Sequence, residues 1–345
     1  MPLITDYQHV KDTYREAAQL GAALPVFCAE DRETLEAILA SVVEYGQKIG
    51  VEDLPIIPAW TVRYPGRGQM KLVTACGNPR LGVRLMFSDL EAFMSEDSPY
   101  RKLRVLPHLD HGFPWLDGDI LEEYAGRFAS VMCDASERPF EENIRLTAEY
   151  VEKVRGRVVV EGAVDEIFEA GSSGEKNEPT TVAQAQRFLR ETGVDIIVPN
   201  VGTEHRATAG QVNYRAERAR EICAAVGPIL CLHGTSSVKP ADLLRLPRDG
   251  FVKINVYTTL AVHGGQAVAR SVLQNLPGIF DEAQLREMMG AGVLAETAFP
   301  AGVLQGAKPK LAIAANPTRR DAWFTAVKNR CQDFLEAFNY RAYAR

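Results

Sequence analysis

Residues 128–164 read FASVMCDASERPFEENIRLTAEYVEKVRGRVVVEGAV. Both ends of this stretch, Phe128–Asp134 and Val158–Val164, are short apolar runs of the length that strands have. Between them, apolar residues recur at helical spacing, so that they share one face. Pro139 stands at the favoured first position of this helix, and Gly156 ends it. The stretch therefore predicts a strand–helix–strand unit with parallel strands.

The same alternation of strand and helix patterns continues along the chain, which predicts parallel pairing and right-handed crossovers. The predicted strands are Leu24–Ala29, Leu54–Val62, Arg104–Asp110, Phe128–Asp134, Val158–Val164, Asp195–Val201, Ile229–His233 and Phe251–Tyr257. Eight such strands favour an α/β fold of the closed (β/α)8 TIM-barrel type. The alternative, an open doubly wound sheet, lacks support because no GxGxxG motif follows the first strand.

Two segments depart from this repeat. Residues 63–103, after the second strand, are too long for one plain crossover and contain several turn signals. Residues 164–180 are polar and glycine-rich, as the mobile lids over an active face are. We expect one domain over residues 1–345, with the barrel core at about residues 20–275 and a C-terminal helical extension at residues 276–345.

Composition excludes several classes of protein. The chain is 46% hydrophobic and 24% charged, with a formal net charge of −6, which argues against a nucleic-acid partner. Its six cysteines contain no CxxC pair, a usage that fits a reducing compartment. Neither a signal peptide nor a long apolar run is evident, which argues against a membrane partner. These features predict a cytoplasmic protein.

Three of the six histidines stand at the ends of predicted strands: His111, His205 and His233. The C-terminal ends of parallel barrel strands open on one face, so these side chains can converge there. Three imidazoles with an open position are typical of a catalytic zinc site. The alternative is that each is a satisfied core or rim histidine. His108 is expected to face away from His111, because side chains alternate along a strand unless it ends between them.

Other polar residues also follow strand ends. Asp110 is predicted to be a general base, and the alternative is a carboxylate that orients a histidine. Asn255 ends the eighth strand, where it is suited to hold a substrate oxygen or to be a satisfied loop amide. The loops that begin at Gly234 and Thr258 are rich in serine and threonine, at the place where such barrels bind phosphate.

Seven stretches, in order along the chain, carry motifs of one enzyme family over roughly residues 20–45 and 104–262. PVFCAEDRETLEAIL resembles the family's first strand and helix, LPHLDHG its HLDHG metal motif, and FASVMCDASERPFEENIRLT its SVMIDGSHLPFEEN stretch. VVVEGAVDEI is similar to VEAELG, and ETGVDIIVPNVGTEHRA to ETGVDALAVAIGTSHG. LCLHGTSSV and VKINVYTTL are similar to LVLHGGSGV and AKINVDTDL. The chain thus resembles, as a divergent member, the class II (zinc-dependent) ketose-bisphosphate aldolases, which include the fructose- and tagatose-bisphosphate aldolases.

The resemblance implies an aldolase, a lyase that cleaves or forms a carbon–carbon bond in a ketose or ketose phosphate through a zinc-stabilised enediolate. It makes His111, His205 and His233 the ligands of Zn²⁺ or another divalent metal. Asp110 corresponds to the proton-transfer aspartate, and Asn255 to the asparagine that holds substrate near the metal. We also expect a homo-oligomer, either a dimer or a tetramer.

Supporting residues are implied in the same way. Glu161 corresponds to the first glutamate of VEAE, and we expect it and Asp134 to support the ligands. Glu175, or else Glu178, is the candidate loop acid that protonates the enediolate. The predicted substrate-binding residues are Gly234, Thr235, Ser236, Asn255, Tyr257 and Thr258.

The chain departs from the family's motifs mainly where phosphate and cations would bind. Ala163 replaces the second glutamate of VEAE, and Glu204 stands where GTSH has serine. Thr235 replaces a glycine of HGGSG, while Tyr257 and Thr259 replace the two aspartates of NVDTD. The loss of these aspartates is expected to disturb any monovalent-cation site. With the metal residues intact, the changes predict a substrate other than fructose 1,6-bisphosphate.

Two other functions stay open at this point. One is a metal-dependent hydrolase on the same barrel, although such enzymes usually carry an HxH pair on the first strand and this chain has none there. The other is a non-catalytic aldolase-like protein that binds a sugar or serves as an assembly subunit.

Overall fold

The computed structural model describes residues 3–170, 178–207, 214–299, 302–315 and 317–344. Its strands are β1 Leu24–Cys28, β2 Pro55–Trp60, β3 Arg104–Val105, β4 His108–Gly112, β5 Ser130–Cys133, β6 Val159–Ala163, β7 Ile196–Val198, β8 Leu230–Leu232 and β9 Phe251–Val256. Its helices are α1 Tyr7–Leu20, α2 Arg32–Ile49, α3 Gln69–Leu72, α4 Pro79–Phe93, α5 Pro114–Glu123, α6 Phe140–Val154, α7 Val182–Thr192, α8 Ala216–Val226, α9 Pro240–Leu243, α10 Thr258–Gln274, α11 Leu276–Ile279, α12 Glu282–Gly290, α13 Leu311–Ala314 and α14 Ala322–Ala337.

The strands form a closed parallel barrel. Their order is β1–β9–β8–β7–β6–β5–β4–β2, and β1 also pairs with β2, which closes the ring. The strands are buried along their length because helices cover the outside of the barrel. The predicted α/β fold of the (β/α)8 TIM-barrel type is thereby confirmed.

The predicted third strand is wrong as a single element. It is divided into β3 and β4 around Pro107, which has no N–H to donate to a ladder. Both pieces pair with β2 in one register, with Pro55 opposite Arg104 and Ala59 opposite His108. The end of β4 and the residues that follow it therefore lie at the C-terminal face of the barrel, as predicted, despite the interruption.

The helices begin and end near the residues predicted to start and stop them, with one correction. Thr181 caps α7 in a capping box with Gln184, and Gly193 ends that helix in the left-handed conformation. Pro139, predicted as the first helical residue, instead precedes it, with ψ 144 in place of a helical value. The difference is one residue, and it leaves the direction of α6 unchanged.

The long segment between β2 and β3 contains α3 and α4, which pack closely together. Asn78 caps α4, its side-chain oxygen accepting hydrogen bonds from the N–H groups of Arg80 and Leu81. A Cβ added at Gly82 would lie 1.7 Å from the carbonyl oxygen of Met70, the residue in α3 that it faces. Glycine at this position therefore permits the close approach of the two helices.

The described chain divides into two compact units. The first comprises residues 1–259 and 331–345 and contains the barrel strands. The second, residues 260–330, has a small apolar cluster of its own around Leu276, Leu285 and Leu304. The expected single-domain organisation stays a prediction. Among the described residues, no helix has the length and apolarity needed to cross a bilayer.

We predict opposite effects from alanine at two helical glycines. Gly82→Ala should lower the free energy of unfolding by about 3 kcal/mol or more, because the new methyl group overlaps the α3 backbone. Gly118→Ala in α5, where no atom lies within 4 Å of the added Cβ, should raise it by up to about 1 kcal/mol through helix propensity. Chemical unfolding midpoints test both, and a wild-type midpoint for Gly82→Ala would contradict the close approach.

Candidate active site

Three histidine side chains meet at the C-terminal face of the barrel. His111 lies in β4, while His205 and His233 follow β7 and β8. The centroid of the His111 ring lies 5.2 Å from that of the His205 ring and 4.8 Å from that of the His233 ring. One ligand atom from each lies within 4.8 Å of the others, so the set is suited to hold one divalent ion.

A local change in the backbone brings His111 into this group. His111 has a φ of 46°, and the pairing of β4 with β5 shifts register between Leu109 and Gly112. Strict alternation along a strand would point Asp110 and His111 in different directions, but the kink breaks the alternation here. Both side chains line one pocket, with His111 Nε2 3.9 Å from Asp110 Oδ1.

Buried carboxylates orient two of the three histidines. Asp134 Oδ2 lies 2.7 Å from His111 Nδ1, and Glu161 Oε1 lies 3.1 Å from His233 Nε2. Each contact uses one ring nitrogen of its histidine, as carboxylate–histidine pairs do at metal sites, where the other nitrogen binds the metal. His205 Nε2 is buried and has no hydrogen-bond partner among the described residues. Burial and the two neighbouring imidazoles lower the pKa of His205, which favours the neutral form that binds metal.

Lys253, in β9, lies fully buried inside the barrel and joins three strands. Its Nζ lies 2.7 Å from Glu161 Oε2 and 3.1 Å from both His108 Nε2 and Asn255 Oδ1. Burial and this ammonium lower the pKa of His108 to about 3, so His108 accepts a hydrogen bond as the neutral form. His108 therefore belongs to the lysine's network rather than to the three-histidine group.

A second group of potential ligands, Glu161, Cys231 and His233, also has one ligand atom from each residue within 4.8 Å of the others. Lys253 Nζ already lies 2.7 Å from Glu161 Oε2 and 3.7 Å from Cys231 Sγ. Since an ammonium balances this carboxylate, the three-histidine group is the better metal site.

Asp110 is held by two donors on the floor of the pocket. Asn255 Nδ2 donates to its Oδ1 at 2.9 Å, and Arg67 Nη2 donates to its Oδ2 at 2.6 Å. Burial would raise the pKa of this carboxyl, but His111 and Arg67 outweigh burial and hold the pKa well below its usual range. Asp110 is thus an oriented carboxylate beside the histidines.

Sequence reasoning missed Arg67 and Tyr64, which come from the loop after β2. The Arg67 guanidinium carbon lies 4.1 Å from the centroid of the Tyr257 ring, and the Tyr64 ring lies 4.7 Å from that of His111. The available signal was the position of this loop, because a turn directly after a barrel strand must lie on the C-terminal face.

All of the predicted substrate-binding residues line the same pocket as the histidines: Gly234, Thr235, Ser236, Asn255, Tyr257 and Thr258. A Cβ at Gly234 would lie 2.7 Å from the carbonyl oxygen of Glu204, so glycine is needed where this loop turns. The Thr235 hydroxyl is buried and has no partner among the described residues.

Comparisons with known proteins give the family to which the chain belongs. A profile of the family described as "Fructose-bisphosphate aldolase class-II" matches residues 8–299. The chain belongs to this family. It is 28% identical to a "Probable fructose-bisphosphate aldolase" of Bacillus subtilis over 81% of this chain and 90% of that one. It is 31% identical to a "Fructose-bisphosphate aldolase" of Staphylococcus epidermidis over 51% of this chain, and spans only 62% of that relative's length.

Solved structures support the fold of this class II aldolase family member. The fructose-bisphosphate aldolase of Campylobacter jejuni matches with a TM-score of 0.73 and 18% identity, over 98% of this chain and 95% of that chain. The YdjI aldolase of Escherichia coli K12 matches with a TM-score of 0.61 and 20% identity, over 97% and 98%.

In this family member, only one of the two candidate loop acids, Glu178, lies among the described residues. Glu175 lies outside the residues that the structure describes. Glu178 is exposed and lines a surface depression with Tyr214 and Arg218. The identity of the loop acid therefore stays a prediction.

A second pocket of the class II family member adjoins the first and has a different charge. It shares Tyr64, His111, His205 and Arg206 with the first pocket. Its other walls carry four carboxylates, those of Asp134, Glu137, Glu166 and Glu169. Burial, together with Glu137 and Asp134, raises the pKa of Glu166, as expected where carboxylates crowd together.

We predict that His205→Ala abolishes metal binding. The purified protein should contain about one equivalent of divalent metal, because three neutral imidazoles are the ligand set of a catalytic zinc site. His205→Ala should lose most of that metal, whereas His9→Ala, which removes an exposed histidine on α1, should retain it. Elemental analysis of the purified variants measures both, and equal metal in His205→Ala and wild type would contradict the site.

Proposed function

We propose that this protein is a class II metal-dependent aldolase that cleaves or forms a carbon–carbon bond in a ketose or ketose phosphate. The observation that carries the proposal is the convergence of three strand-end histidines beside Asp110 and Asn255 in one pocket. Family membership supports it independently.

His111, His205 and His233 would hold the divalent cation, with Zn²⁺ as the first candidate. The fit rests on the unpartnered, buried Nε2 of His205 and on the carboxylates that orient the other two rings. When bound, such a cation supplies Lewis-acid stabilisation of negative charge on a substrate oxygen.

Asp110 would move the proton in this reaction. In the cleavage direction, its carboxylate accepts the proton of the hydroxyl next to the breaking bond, and a carbonyl product forms as that bond breaks. The bond's electron pair stays on the other fragment, which is then protonated by an acid that the described residues leave unassigned. The Asn255 amide, fixed at Oδ1 by Lys253, holds Asp110 in place for this step.

The charge of the two adjoining pockets supports a substrate with one anionic end at most. The histidine pocket contains Arg67 and Asp110, Arg206 lines both pockets, and the adjoining pocket contains four carboxylates. A phosphate dianion at each end of the substrate would place one of them against those carboxylates, at a cost that rises in a desolvated site. We therefore propose a monophosphorylated, unphosphorylated or otherwise substituted ketose.

One experiment separates this proposal from a hydrolase and from a non-catalytic sugar-binding protein. The metal-loaded protein is incubated with a panel of ketoses and ketose phosphates, and carbonyl-product release is measured. An aldolase releases an aldehyde from at least one of them. A hydrolase releases no product of carbon–carbon cleavage, and a binding protein shows affinity without turnover. The expected homo-oligomer stays a prediction.

We predict that two buried aspartates beside His111 have different roles. Asp110→Asn should keep the metal and the fold but lower turnover by about 10²-fold or more, because the base is lost. Asp134→Asn should instead weaken metal affinity by about 10- to 100-fold, because Asp134 orients His111. Metal titration and steady-state assays on the pair test this. Loss of metal from Asp110→Asn would make Asp110 a structural partner.

We predict that fructose 1,6-bisphosphate is a poor substrate. Thr235 narrows the loop where a phosphate would approach, Tyr257 fills space beside Asn255, and the adjoining pocket is acidic. The expected kcat/KM lies below about 10⁴ M⁻¹s⁻¹, the lower end of ordinary enzyme values. The assay includes fructose 6-phosphate and fructose 1-phosphate as controls, and a value at or above that limit for the bisphosphate would refute the prediction.

A further inference from the structure

Arg67 lies in the pocket as a rigidly held cation. Two hydrogen bonds hold the backbone of its loop. The Arg67 N–H donates to the Tyr64 carbonyl at 3.0 Å, and the Thr61 hydroxyl donates to the Arg67 carbonyl. Gly68 permits this close path, since a Cβ there would lie 2.7 Å from the carbonyl oxygen of Val62. The guanidinium side chain is only 10% exposed.

The guanidinium group is only partly satisfied by its neighbours. Its Nη2 contacts Asp110 Oδ2 at 2.6 Å and Cys28 Sγ at 3.5 Å, and its face lies on the Tyr257 ring. Its Nε is buried and has no hydrogen-bond partner among the described residues. The same holds for the Thr235 hydroxyl in the same pocket. Buried donors without partners are rare in native proteins, and a bound ligand is one way to satisfy them.

The balance of charge in the pocket favours an anion as that ligand. Its described lining contains two guanidinium groups, Arg67 and Arg206, and one carboxylate, Asp110. Arg206 has other partners, since it donates to the Pro65 carbonyl at 2.7 Å and lies 3.6 Å from Glu169. Arg67 is therefore the cation whose free donor is available to a ligand, and arginine suits planar or tetrahedral oxyanions.

We propose that Arg67 is a specificity-determining residue that binds an oxyanion of the substrate, a carboxylate or a phosphate monoester. Tyr257 supports the guanidinium from one side, and Asp110 fixes its direction, so anion recognition lies next to the residue that moves the proton. This assignment rests on the proposed aldolase function for its place in turnover, but not for anion binding itself.

Binding of two simple anions tests the proposal directly. Isothermal titration with glycolate and with inorganic phosphate is run on the full-length, metal-loaded protein and repeated after chelation, which separates binding at the metal from binding at Arg67. Arg67→Met should weaken the affinity for at least one anion by about 10- to 100-fold in both forms, the range expected for a hydrogen-bonded ion pair. The anion that loses more identifies the recognised group.

Three further variants make the result decisive. Arg67→Lys should recover only part of the affinity, because it lacks the planar fork, and it tests the site if Arg67→Met does not fold. Arg206→Met should lose less than Arg67→Met, and Arg80→Met, an exposed arginine on α4, should bind like wild type. Wild-type affinity in Arg67→Met, no binding of either anion to wild type, or an equal loss in Arg206→Met would overturn the proposal.

Turnover gives an independent readout. Suppose that the wild type cleaves both a charged and a neutral ketose. The factor by which Arg67→Met raises KM should then be about 10-fold or more larger for the charged ketose than for the neutral one. If the wild type cleaves no ketose, the aldolase proposal fails while the titrations still decide the role of Arg67. Equal KM changes for both ketoses would contradict the assignment.

Discussion

The buried ammonium of Lys253 is the constraint around which the site is organised. A charge with no solvent around it is tolerated only where partners surround it, and Lys253 reaches acceptors on β4, β6 and β9. Glu161, held in this way, contacts His233 with its other oxygen, and Asn255 in turn directs its amide N–H groups at Asp110. One cation inside the barrel thus acts, through Glu161 and Asn255, on both His233 and Asp110.

One departure from the family's motifs, Tyr257, is linked to the proton-transfer residue through Arg67. Tyr257, which stands in place of a carboxylate, supports Arg67, and Arg67 contacts Asp110. The carboxylate expected at residue 257 would instead have paired with the guanidinium and competed with Asp110 for it. The three histidines of the family are thus present, while the pocket beside them contains an arginine, Arg67, that lies on the Tyr257 ring.

The sequence predicted what depends on periodicity and on strand ends. The barrel, the strands that bear the histidines and the position of Asp110 follow from such patterns. The kink at His111 could not be predicted, because a φ of 46° at a histidine leaves no signature in the letters around it. Arg67 lies in a segment without periodicity, and Lys253 resembles an ordinary solvent-facing residue of a strand until its partners are known.

The closure of the barrel also bears on how the chain acquires its fold. β1 pairs with β9, with Leu24 opposite Lys253, and the Ala23 N–H donates to the Phe338 carbonyl at 3.1 Å. The Tyr340 hydroxyl donates to the carbonyl of Pro55 at the start of β2. Contacts so distant in sequence form slowly, because a long loop must be ordered before they are made. During synthesis, β1 therefore lacks one of its two partner strands until β9 has left the ribosome.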